Sequence, residues 1–259
     1  MEQFIQVISQ LIQISESELN EFLNYCYVKT FKRNEVLSQP DFVVMGVNAW
    51  FKPFKFALSI AIYAWTMAWF VSYLPASFNA RLFNWSVVVL LGFEIIYIAL
   101  QAGRGQLSHY NVSSPLYSFL YFLMALAATI VTLWTAYIGI LFFLYQFPEL
   151  PAYYLWAIRI GIIFFVIFSL EGFVMGSRMT HTIGGADGGQ GLPLLNWNTK
   201  YGDPRVAHFI GMHALQVLPL LSYYLLRNVK LTFIVGLFYG LLAFFTLWQA
   251  LQGKPFYKF

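Results

Sequence analysis

Long apolar runs separated by short polar interruptions make up most of the chain. Six of them reach the roughly 20 residues that a helix needs to cross a bilayer. They lie near 56–75, 83–103, 117–146, 153–176, 206–226 and 231–251. This pattern predicts an all-α, polytopic integral membrane protein with six transmembrane helices. Ser114 before Pro115 marks the start of the third helix, a capping hydroxyl ahead of a residue that needs no N–H. Pro219 interrupts the fifth and leaves the carbonyl of Leu215 without its helical donor. The second to fifth helices are expected to form a central four-helix bundle, with the first and sixth packed outside. Helices in lipid approach through small residues, which singles out Ala125, Ala127, Ala128, Gly236 and Gly240.

Ahead of the first run the periodicity changes. Phe4, Val7, Ile8, Leu11 and Ile12 follow helical spacing, Ser15 and Glu18 form a capping box, and Tyr27 to Lys32 alternates like a strand. Residues 1–44 therefore read as a separate cytoplasmic segment, and 45–259 as the six-span membrane domain. The segment is either a native appendage or a fusion ahead of Met45. It has no apolar core of signal-peptide type.

Composition sharpens this picture. Only 10% of the 259 residues are charged, too few to cover the surface of a soluble chain of this size. The net charge of +4 does not point to nucleic acid, because its distribution follows topology. Eleven Lys and Arg fall on the side of the N-terminus and four on the other. The positive-inside rule then places both termini in the cytoplasm. Lys52 and Lys55, with Trp50, read as interfacial anchors. A single cysteine, Cys26, excludes an internal disulfide.

Candidate chemistry lies in the ionisable residues of the spans and of two loops. Beyond residue 50 the only acids are Glu94, Glu149, Glu171, Asp187 and Asp203. A charge in mid-membrane costs about 3 kcal/mol, so Glu94 and Glu171 are expected to face partners or a cavity. Glu94 is followed by Gln101 and Arg104, and Glu171 by Arg178 and His181, at the same +7 and +10 spacing. Each trio falls within an arc of roughly 80°, a polar stripe running toward the cytoplasmic end. The repeated pattern suggests parallel halves. The second stripe leads into a long loop containing GGADGGQG around Asp187, then Asp203 in YGDPR. It lacks phosphate-loop spacing and reads as a lid. His208 and His213 open the fifth helix. Five residues apart, they point about 140° from each other, so one metal cannot take both. Gln216 shares the face of His213.

Two stretches carry resemblances. Residues 1–40, ending FKRNEVL, resemble the opening of a Crp/Fnr-type sensor domain. The resemblance stops before that domain's phosphate-binding cassette and implies no cyclic-nucleotide site. QAGRGQLSHYN and HFIGMHALQVLP resemble the QAxRGxxSHxN and HFxGxHALQxLP patterns of an uncharacterised family of bacterial multi-pass membrane proteins, over about residues 45–253. That implies a bacterial cytoplasmic membrane but no activity. The layout is also similar to heme A synthase, although the chain lacks its Glu-x-x-His-Arg pairing and two of its spans.

Three readings stay open. In the first, a metal- or heme-dependent redox enzyme acts on a lipid-soluble substrate. Here His109, His181 and His213 are metal ligands, and His208 and His213 the candidate heme ligands. Glu94 and Glu171 serve as bases, and Arg104 and Arg178 hold an anionic or carbonyl group. Gln101, Asp187, Asp203 and Gln216 complete the wall and lid. The second reading is a proton-coupled or anion-binding transporter, and the third a non-catalytic sensor or assembly factor.

Overall fold

In the computed structural model the described residues are 43–44, 47–188, 191–192 and 195–257. The expected helices and strand of the first 42 residues lie outside them. Val43–Val44 (β1) and Val47–Asn48 (β2) form a two-residue antiparallel pair, with Val43 opposite Asn48. Six helices follow: α1 Phe51–Val71, α2 Ala80–Gly103, α3 Pro115–Leu144, α4 Ala152–Arg178, α5 Arg205–Leu221 and α6 Val229–Leu251. All six are long and apolar enough to cross a membrane, α5 together with its extension to Leu226. The chain is an all-helical, multi-pass membrane protein.

Local chemistry sets the helix ends. Asn79, Ser114 and Asn228 accept from the backbone N–H three residues on, at 3.0, 3.2 and 3.1 Å, capping α2, α3 and α6. Met179 closes α4 in the left-handed conformation. Downstream of Pro219 the fifth helix widens into one π turn, Ser222–Leu226. There the Ser222 hydroxyl donates to Tyr153 O (2.9 Å) and lies 2.7 Å from the Thr232 hydroxyl, tying α5 to α4 and α6. The first helix begins five residues before its predicted apolar run, so Lys52 and Lys55 belong to its first turns.

One core occupies the half of the bundle away from the long loops. It holds Phe83, Val87 and Leu91 of α2, Val131, Ile138 and Phe142 of α3, Ile158, Ile162 and Phe165 of α4, and Leu215 of α5. α1 adds Tyr63, Met67 and Phe70 to that core, and the Tyr63 hydroxyl lies 2.8 Å from Thr135 Oγ1. The first helix is thus a wall of the bundle as well as its neighbour. Contact between α4 and α5 is closest at two glycines. Gly161 lies against the backbone of Ala214 and Leu215, and Gly211 lies flat against the Phe168 ring. Gly236 and Gly240 seat α6 on Ile160 and Phe164, as their spacing suggested. Ala127 is buried, whereas Ala128 faces outward.

The connections at one end are short. At the other end are the α2–α3 loop (104–114), the α4–α5 loop (179–204) and the first turns of α1. These three segments position the candidate site.

Candidate functional site at the loop-lined end

The α4–α5 loop is built around one carboxylate. The Asp203 side chain is fully buried and accepts from Asn198 N (2.8 Å), Arg205 N (3.1 Å), Arg205 Nε (2.8 Å) and Arg205 Nη2 (2.6 Å). Arg205 Nη2 also donates to Asn196 O at 2.6 Å. Asn198 turns the chain by accepting from Lys200 N and Tyr201 N, both at 2.9 Å. Ile183 and Gly202 pair as an antiparallel bridge. Gly202 then packs directly on Ala250, and Gly184, at φ +94°, packs on Gly253. The loop is therefore docked on the end of α6 at these points, and Asp203 is its keystone, not a wall of the site.

Two histidines project from the two loops into one aromatic neighbourhood. Tyr110 stands between them, with its ring centroid 4.8 Å from that of His181 and 6.3 Å from that of His109. Tyr121 lies 5.6 Å from Tyr110 and 6.4 Å from His109, and Phe56 of α1 lies 5.4 Å from His109. Tyr110 adopts φ 60°, a left-handed conformation costing about 1–2 kcal/mol for a residue with a Cβ. The Nδ1 of each imidazole lies near a polar side chain. His109 Nδ1 lies 3.2 Å from the Ser108 hydroxyl, and His181 Nδ1 lies 3.6 Å from Asp187 Oδ2. The backbone N–H of His181 also donates to both Asp187 oxygens, at 3.2 and 3.0 Å.

The electrostatics keep both rings neutral at ordinary pH. Burial, then the Lys52 ammonium and His181, hold His109 well below its ordinary range. Burial also lowers His181, helped by Arg205 and Lys52 and opposed by Asp187. Burial opposes ionisation of Asp187 too, but donors from His181, Thr182 and Thr180 outweigh it, and its pKa falls. The largest of these donors is the His181 side chain, followed by the Thr182 hydroxyl, the His181 backbone N–H and the Thr180 hydroxyl. Burial, Tyr121 and Asp187 push Tyr110 up, leaving its phenol protonated. A polar cavity of about 20 Å³ lies under His181, Asp187, Asn198 and Arg205, room for a water-sized group.

The predicted residues divide between this site and its surroundings. Glu94 is buried, with Lys52 as its charged neighbour, and Gln101 is spent on Leu107 O at 3.0 Å. Glu171 meets His208 across the α4–α5 contact at 3.3 Å. That is ion-pair distance, although neither carboxylate oxygen nor His208 Nδ1 is aligned for a hydrogen bond. Gly172 leaves the space for the His208 ring, 3.3 Å from where its Cβ would stand. His213 is set apart, 3.4 Å from Gln216 Oε1 and edge-on to Phe209, while the Gln216 amide donates to Thr66 of α1 at 3.1 Å. His208 faces α4, whereas the neighbours of His213, Phe209 and Gln216, lie on its own helix. Arg104 and Arg178 are exposed at the ends of their helices. The cations at the site are Lys52, Lys55 and Arg205.

Those three cations and Tyr110 escaped the sequence reading. A lysine at a helix entrance has the same sequence signature whether it reaches for lipid phosphate or turns inward. The available signal was the spacing of Lys52 and Lys55 with Phe56, which puts all three near one helix face. Lys55 Nζ donates to Leu195 O at 3.3 Å, joining α1 to the long loop.

Among the described residues, no three His, Cys, Asp or Glu side chains are grouped to hold a metal ion. No protein-family model, curated protein or solved structure matches the chain.

Proposed function

We propose that this multi-pass membrane protein is an enzyme acting on a lipid-soluble substrate, with His109 and His181 as its proton-transferring pair. The observation that carries this reading is their arrangement. Two imidazoles from separate loops, with Nδ1 near the Ser108 hydroxyl in one and near the Asp187 carboxylate in the other, both lie beside the same tyrosine ring. A neutral imidazole fixed in this way presents Nε2 as a base, and a phenol beside it supplies a proton. Asp187 orients His181 and stabilises the imidazolium that forms when it accepts a proton, while Lys52 and Arg205 restrain that charge between turnovers. The strained backbone of Tyr110 fits a residue held in place for chemistry. The excess of Lys and Arg on this side supports a cytoplasmic orientation for this end of the bundle, which a lipid substrate would reach laterally. If a transition metal or heme takes part, His109 and His181 are the donors it would use.

The test is lipid turnover in cells. Membranes from cells producing the wild-type chain, His109→Ala or His181→Ala are extracted and profiled by mass spectrometry. The expected result is one lipid species depleted and another accumulated with wild type only. Identical profiles from variants that insert and fold at wild-type levels would overturn the proposal.

A further inference from the structure

At the short-connection end of the bundle one cation stands in the apolar wall without an acid. Arg159 lies seven residues on from Ala152, about 10 Å along α4 from its start. A charge at that depth needs a group to receive it. The last helical bond of α3 runs from Tyr145 N to Leu141 O, which leaves Phe142 O without a helical donor. Arg159 Nε donates to that oxygen at 2.9 Å. The guanidinium carbon lies 5.0 Å from the centre of the Phe143 ring and 4.9 Å from that of Trp156. These two rings meet edge to face at 6.2 Å, and Trp156 packs on Phe233 of α6 at 4.9 Å. Trp156 precedes Arg159 by three residues, so the side chain reaches back toward the start of α4 and the membrane surface. That is the direction in which a long cation finds lipid headgroups, and the level at which indoles sit. Phe143 and Phe233 are exposed, so the cluster opens on the perimeter of the bundle. Among the described residues, neither Nη nitrogen has a hydrogen-bond partner or lies within 4.0 Å of a carboxylate. Glu149, the acid at this end, is exposed in the α3–α4 loop. Lys230, one turn before Phe233 on α6, is also exposed and adds a second positive charge nearer the surface.

We infer that Arg159 binds the phosphate of an acidic phospholipid in the adjoining leaflet, with the Nη donors on two phosphate oxygens and the aromatic cluster against the upper acyl chains. The site lies at the opposite end from His109 and His181 and does not depend on the enzyme reading. Capping α3 accounts for one of the five N–H donors of the guanidinium and leaves its charge unanswered. The bond to Phe142 O and the two rings fix the plane of the fork, which matches a phosphate bidentately. A zwitterionic lipid would bring its own cation beside Arg159 and Lys230, whereas an acidic head brings none. Free phosphate would leave the exposed Phe143 and Phe233 rings without an apolar partner.

The test uses the full-length protein in detergent, offered equal amounts of phosphatidylglycerol and phosphatidylcholine, with retained lipid counted by native mass spectrometry. Wild type is expected to hold one phosphatidylglycerol about tenfold more tightly than phosphatidylcholine. Arg159→Gln, which keeps a donor for Phe142 O, should lose that lipid. Arg159→Lys keeps the charge and the apolar stem but not the fork, and should hold it about threefold less tightly. Equal retention of the two lipids by wild type, which needs no variant to fold, overturns the inference. So does full retention by either variant, because the other cations of the chain would then account for the bound lipid. Release of the bound phosphatidylglycerol by excess inorganic phosphate would overturn the lipid as ligand in favour of the free anion.

Discussion

Asp203 shows how much of the site depends on a residue that takes no part in its chemistry. Its buried carboxylate satisfies three donors of Arg205 and the backbone of Asn198. Through them it fixes Asn196 and the rim of the cavity beside His181. Removing one partner of such a pair strands the other, so Asp203→Ala should destabilise the fold by about 3 kcal/mol, measured by thermal unfolding in detergent. Asp203→Asn, which keeps part of the hydrogen bonding, should cost less. Equal, negligible effects of both changes would contradict the keystone role. The sequence marked Asp203 as a scarce acid but assigned it to a lid, because a Gly-rich stretch beside it reads as mobile. Nothing local reveals that Gly202 and Gly184 serve as flat contacts on the end of α6. Glu94 and Glu171 were legible for a firmer reason, since an acid in an apolar run has few places to go. Their Arg companions, Arg104 and Arg178, stand exposed at their helix ends; helical periodicity near a membrane face does not distinguish a side chain turned inward from one reaching outward.

At the scale of elements, the six helices and their caps were readable from apolar length and from Ser114–Pro115. Their packing was only partly so. Gly236 and Gly240 announced themselves by spacing, but Gly161 and Gly211, which let α4 and α5 touch, sit alone in apolar runs. Gly211 faces the Phe168 ring with no room for a methyl group. Gly211→Ala should therefore push the two helices apart and cost about 1–3 kcal/mol. Because the same contact brings His208 to Glu171, that change should also separate this pair. An Ala variant as stable as wild type would show that the contact is looser than described. The inward role of α1 depends on residues spread over the whole helix, from Lys55 to Tyr63 to Thr66. Each is an ordinary membrane-helix residue by itself, so the long-range partners that define that wall leave no local trace.

For the whole molecule, apolar packing fills the half of the bundle with short connections, and polar chemistry gathers at the end with long ones. The sequence put the polar residues at that end, but it could not say which histidines share a site. The central claim is that His109 and His181 share one charged neighbourhood organised by Lys52. The most direct measurement is a pH titration of the imidazole nitrogens by NMR, with histidines labelled, in wild type and in Lys52→Gln. In wild type both rings should be neutral at pH 7 and titrate below the ordinary histidine value of 6.5. A nearby ammonium disfavours the imidazolium, so removing it must raise both pKa values toward that reference. Joint upward movement of His109 and His181 is the expected result. Movement of one without the other, or a ring already protonated at pH 7, would contradict the shared site.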